Sequence, residues 1–294
     1  MNPPETTEAA EQTRAKMRHE TSPAAHLVIQ PSRGWEGLGI RELWRYRELV
    51  YFLTWRDVKV RYKQTLLGAA WAILQPVLTM LIFSIIFGEL ARLPSEGFPY
   101  PIFTYTALLP WQLFAFALSN SSNSLVGSTN LVSKVYFPRL VIPIASVLPA
   151  LVDFAISFVV LAGMMIYFRI TLTPRILWLP LFLALALATA LAVGIWLSAL
   201  NVEYRDVRYV VPFLTLFWQY ATPVAYSSTL IPAKWRLLYG LNPMTGVVEG
   251  FRWALLGKGD IGDLLWVSAA IVTLLLVSGV AYFRRMEASF ADVI

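Results

Sequence analysis

The side chains able to do chemistry are few and unusually placed. Asp153 is the one acid inside an apolar run of useful length, and no second ionisable group shares those runs. A carboxylate in such a place costs roughly 3 kcal/mol to insert in a membrane, so it marks either a substrate path or an acceptor for Ser, Thr, Tyr or Trp groups on neighbouring helices. Just before the first apolar run stand Arg56, Arg61 and Lys63, cations suited to phosphate or anionic lipid. Aromatic residues make up 14% of the chain. Most belong to interfacial belts or packing, but Trp71, Tyr105, Trp111, Trp218, Tyr220 and Tyr226 could offer flat faces to sugar rings. The connection from 130 to 143 carries Lys134, Tyr136, Phe137 and Arg139 at its tip, bulky groups flanked by cations that suit a groove on another protein.

Whole reaction classes are missing. Zero cysteines exclude a disulfide framework and thiol catalysis. His19 and His26, the only histidines, lie in the polar N-terminal stretch, so a buried metal site or a Ser-His-Asp triad is not expected. No phosphate-binding loop is present, Gly257-Lys258-Gly259 being only a superficial likeness, and no nucleophile elbow occurs. Acids for glycosyl transfer would have to come from loops, at Asp57, Glu203, Asp206 or Glu249. We therefore expect no enzyme, no metal and no cofactor in this chain.

Composition identifies the solvent. Of 294 residues, 57% are hydrophobic and only 14% charged, far from a soluble domain. The net charge of +6 sits at the ends of apolar runs, which points to membrane lipids as partners and not to nucleic acid. The fold class is all-α, a polytopic membrane protein with six transmembrane helices at about 66–88, 100–128, 140–168, 176–201, 208–226 and 264–283. Residues 1–30 are too polar to pack and read as a disordered cytoplasmic tail, with a transmembrane domain over 31–294. Residues 41–63 form an N-terminal amphipathic interface helix with Trp44, Tyr51, Trp55, Val58 and Tyr62 at helical spacing. Between spans five and six the chain is too apolar for water and too broken by Pro and Gly to cross, so short re-entrant helices are expected there. Six crossings put both termini on one side, and that side collects seventeen of the 24 basic residues, which makes it cytoplasmic.

Several strings then carry a family resemblance. Arg56-Asp57-Val58-Lys59-Val60-Arg61-Tyr62-Lys63-Gln64-Thr65 is followed by Leu67-Gly68, Trp71 and Leu74-Gln75-Pro76. Later come Lys134-Val135-Tyr136-Phe137-Pro138-Arg139, Asn201 with Tyr204-Arg205-Asp206-Val207, Trp218-Gln219-Tyr220 with Thr222-Pro223-Val224, and Asn242-Pro243-Met244 with Glu249, Phe251-Arg252 and Leu255-Leu256-Gly257. From about residue 40 onward the chain resembles the membrane subunit of polysaccharide ABC exporters, the ABC-2 type permeases that export O-antigen, capsule and teichoic acid. The resemblance implies a homodimer in the bacterial inner membrane, driven by two copies of a nucleotide-binding subunit that holds ATP and Mg. It implies that the interface helix and the 134–139 loop couple to that ATPase. Arg56, Arg61 and Lys63 would receive the diphosphate of a lipid-linked polysaccharide, and 227–257, with Trp235, Tyr239, Phe251 and Trp253, would gate the outer mouth. A drug or small-lipid permease of the same fold is the nearest rival, and a membrane-embedded glycosyl- or acyltransferase a more distant one.

Overall fold

Where no water reaches the backbone, a chain must satisfy its own peptide groups, and uncharged runs of this length do so as helices. The computed structural model describes residues 40–63, 68–259, 261–287 and 290, with helices and no strand among them. The expected tail at 1–30 lies outside the described residues, as do Gln64, Thr65 and Leu67. In chain order the helices are α1 (Ile40–Arg45), α2 (Arg47–Lys63), α3 (Gly68–Phe83, prolonged by a π-helical Ser84–Leu90), α4 (Tyr100–Gly127), α5 (Thr129–Lys134), α6 (Val141–Val147), α7 (Ala150–Tyr167), α8 (Leu179–Glu203), α9 (Val207–Ala221), α10 (Ala233–Gly240), α11 (Pro243–Leu256) and α12 (Gly262–Glu287). Among the described residues, five stretches are long and apolar enough to cross a membrane: Ala70–Leu90, Tyr100–Gly127, Val141–Tyr167, Pro174–Glu203 and Gly262–Glu287.

The expected fifth span at 208–226 is shorter than its apolar run. The 15 residues of α9 rise about 22 Å, against roughly 30 Å of hydrocarbon. Thr222 ends the helix in extended backbone, as the residue before a proline prefers, and Pro223 follows.

Two other prolines do more than bend helices. Pro76 in α3 has no N–H for the Ala72 carbonyl four residues back, and that carbonyl accepts Ser157 Oγ of α7 at 2.6 Å. Pro149, between α6 and α7, leaves the Ala145 carbonyl in the same condition, and Thr54 Oγ1 of α2 approaches it at 3.2 Å while also reaching its own Val50 carbonyl. Each freed carbonyl is thus a fixed point at which another helix docks.

Helix α4 is the axis of the bundle, its middle buried among α3, α6, α7, α8 and α11. Small residues allow the closest approaches. A Cβ on Gly194 of α8 would lie 2.5 Å from Ser121 of α4, and one on Gly250 of α11 would lie 2.3 Å from the Phe182 ring. On α2 the packed face is Leu49, Val50 and Leu53, while Tyr51 and Trp55, like Trp44 on α1, stay exposed, an outward face fit for headgroup depth. Tyr62, grouped with those aromatics by spacing, instead turns inward to Asp153.

Two substitutions test this packing by thermal unfolding of the purified protein. S157A should cost about 1–2 kcal/mol by orphaning the Ala72 carbonyl. G250A should cost about 1–3 kcal/mol by overpacking, whereas G163A, with open space around its Cβ, should not lower the melting temperature.

Candidate functional site

Two clefts follow one face of α4. The first, about 390 Å³, lies between α3, α4, α7 and α9 and is lined by Trp71, Gln75, Trp111, Gln112, Thr215 and Gln219, with Arg61 and Asp153. The second, about 400 Å³, lies under α2 and is lined by Arg56, Asp57, Ser119, Asn120, Asn123 and Ser124. Arg61 and Phe116 line both, so the clefts meet there. From Leu109 in the first to Ser128 in the second the pair follows about 28 Å of helix, close to a hydrocarbon thickness. Among aliphatic side chains the lining presents the Trp71 indole, several amides and several hydroxyls, which can stack on and hydrogen-bond a polyhydroxylated chain without gripping it.

The junction is a charge cluster. Arg61 Nη2 lies 2.7 Å from Asp153 Oδ2, and the Tyr62 hydroxyl donates to Asp153 Oδ1. The Arg61 guanidinium also stacks on the Phe116 ring, 3.8 Å from its centroid. Asp153 therefore has an ionised partner that reaches it from α2, outside the apolar runs where a partner was sought.

The other sequence candidates separate by environment. Trp71 lines the first cleft and is half exposed, Trp111 borders it but is only 3% exposed and packs on Phe114, and Tyr105 is fully buried with its hydroxyl on the Ser157 carbonyl at 3.2 Å. Trp218 packs edge-on against Phe114 and donates to Asn242 Oδ1 at 2.8 Å, which anchors the start of α11. Tyr220 is exposed, and Tyr226 shares a hydrogen bond with Tyr239. Arg56 pairs with Asp57 at 2.8 Å, and Lys63 is exposed at the end of α2. On the 134–139 loop, Lys134 is exposed and Tyr136 is 80% exposed, but Phe137 is tucked into the core and Arg139 donates to the Glu287 carbonyl. Only half of that expected knob projects outward. Near the opposite end Trp235 is exposed, Trp253 is held edge-on by Trp178 with Arg175 above its ring, and Phe251 is fully buried against Phe154 and Phe182.

Sequence reasoning passed over an ion pair. Arg252 and Glu249, one turn apart on α11, are buried to 1% and 5% side-chain exposure and sit 3.1 Å apart. Arg252 also donates to the Val224 and Tyr226 carbonyls at 2.9 and 3.2 Å and covers the Phe103 ring. It thereby ties α11 to the non-helical turn after α9 and to the start of α4. Burial pushes the Glu249 carboxyl up and the Arg252 guanidinium down, while their mutual attraction opposes both shifts. The i, i+3 charge pair in an apolar stretch was the signal that could have found it. Among the described residues no cluster of His, Cys, Asp and Glu could hold a metal.

R252M should destabilise the protein by about 3 kcal/mol or more in thermal unfolding, because it leaves a buried carboxylate bare. E249L/R252M should cost less than R252M alone, a non-additivity that a double-mutant cycle measures.

The sequence profile of the ABC-2 type transporter family matches residues 48–256. The chain is 30% identical over 259 residues to the O-antigen export system permease protein RfbA of Myxococcus xanthus, covering 87% of this chain and 98% of that one. It is 29% identical over 254 residues to a protein of the same name from Klebsiella pneumoniae, covering 84% and 95%. Against the polysialic acid transport protein KpsM of Escherichia coli it is 26% identical over 241 residues, covering 79% and 91%.

Proposed function

The chain belongs to the ABC-2 type transporter family, and from that membership we propose that it is the permease subunit of an ATP-driven exporter moving lipid-linked polysaccharide across the bacterial inner membrane. The observation that carries the reading is the pair of joined clefts along α4. Trp71 supplies a stacking face, and Gln75, Gln112 and Gln219 supply amides, a lining that lets sugar rings slide from one weak site to the next. Proteins named for O-antigen export and polysialic acid transport are similar to this chain over most of their length, which supports a glycan over a drug as cargo.

In this reading no bond is made or broken by the chain. Its sequence has no phosphate-binding loop, so ATP and Mg belong to a separate nucleotide-binding subunit, present in two copies against a homodimer of permeases. Beside the first cleft, Leu78 and Ile82 on α3 and Phe213 and Phe217 on α9 are exposed, apolar surface that a second copy would cover. The termini are cytoplasmic by the distribution of basic residues. Arg56, Arg61 and Lys63 receive the diphosphate head, α10 and α11 close the far mouth, and the ATPase presses on α2 and on the exposed part of the 134–139 loop.

Purification from native membranes in mild detergent, followed by mass spectrometry, tests the assignment. A stoichiometric ATP-binding subunit and a lipid-linked glycan are expected; a lone chain active on a sugar donor would replace this reading with an enzyme. K134E and Y136A should each reduce recovery of the ATPase about tenfold, as contacts central to an interface do. Neither substitution should unfold the chain, because both side chains project outward.

A further inference from the structure

An ion pair stands where the two clefts meet. Arg61 is held from below by the Phe116 ring and from the side by Asp153, whose other oxygen accepts the Tyr62 hydroxyl. Arg61 and Phe116 line both clefts. A molecule moving between the clefts meets this pair, which keeps 37% and 17% side-chain exposure, and an anionic group on it would compete with Asp153 for Arg61. A guanidinium takes oxyanions through paired, parallel hydrogen bonds, so a phosphate-type group can replace a carboxylate there with little change in geometry. Asp153 cannot follow such a group along the path, because its backbone is fixed in α7 and its Oδ1 stays tied to Tyr62.

We propose that Arg61 and Asp153 form a counter-ion gate in which Asp153 is the resident anion of Arg61 and a phosphate-type oxyanion on the transported molecule displaces it to open the junction. Asp153 is then a specificity-determining residue that sets a threshold against uncharged molecules. The cargo in this statement rests on the export reading, but the gate itself is a property of the purified chain and is tested without ATPase or glycan.

The test uses the full chain in lipid nanodiscs, titrated with farnesyl diphosphate, with inorganic diphosphate and with farnesol. D153N removes the competitor and should tighten farnesyl diphosphate binding about tenfold, a coupling of ordinary size for two groups sharing one site. D153E keeps a carboxylate and should stay near wild type. R61Q should weaken binding at least as much, and D153N/R61Q should match R61Q. Farnesol should not compete. Binding of farnesyl diphosphate alone assigns the site to a lipid headgroup, whereas binding of both diphosphates assigns it to the oxyanion itself, and either result supports the gate. Equal binding by D153N and wild type, or tighter binding that survives in D153N/R61Q, overturns it. Because the chain has no cysteine, a second measurement needs no Asp153 variant: Q112C in the otherwise native chain should react faster with a water-soluble thiol reagent once farnesyl diphosphate is added. An unchanged rate would contradict the proposal. Loss of ATPase co-purification with the gate intact would instead count against the export reading alone.

Discussion

A carbonyl without a partner inside a bilayer has no water to fall back on, and prolines in and beside the apolar helices leave such carbonyls, two of which are taken up by side chains of other helices. Ala72, freed by Pro76, is taken by Ser157, and Ala145, freed by Pro149, is approached by Thr54. The first contact fixes α3 against α7 and so sets Trp71 and Gln75 across from α4. The second fixes α2 against α6 and so brings Arg61 and Tyr62 to Asp153. The clefts exist where they do because these two helix pairs are pinned through the backbone, while the lipid-facing side chains leave their angles free.

Polar groups elsewhere obey the same constraint. Arg252 would be expensive alone among apolar side chains, yet it is surrounded by Glu249, two carbonyls and an aromatic face. In return it makes one body of α11, the turn after α9 and the start of α4. The Asn201 amide donates to Asn123 Oδ1 and to the Ser122 carbonyl, and the Asn123 amide donates to the Ser119 carbonyl, which holds α4 to α8 at the opposite end. Polar side chains that the helices do not use this way, such as Gln75, Gln112 and Gln219, face a cleft.

Much of this was legible in the sequence because hydrophobicity and helical spacing report directly on burial in lipid. The all-helical membrane class, helical structure before the first span and the broken segment before the last span follow from runs, periods and prolines. The length of α9 was not legible, since an apolar run continues past the residue at which Pro223 forces the backbone out of the helix. The partner of Asp153 was missed because Arg61 lies in a different segment, and no local pattern encodes a contact between positions so distant in the chain. Phe137 and Arg139 were read as outward because a short charged loop says nothing about a C-terminal helix that returns to cover it. Tyr105 illustrates the general limit: spacing places a ring on a helix, but only packing decides whether its face meets a ligand or a neighbour.

The account turns on where the cargo travels, and photocrosslinking during export tests that most directly. A benzophenone side chain would be placed at position 71 or 112, in the first cleft, and at 159, on the exposed face of α7. Glycan adducts from 71 and 112 and none from 159 are the predicted result. Adducts from 159, or none from the two cleft positions in cells that still export, would contradict the path along α4.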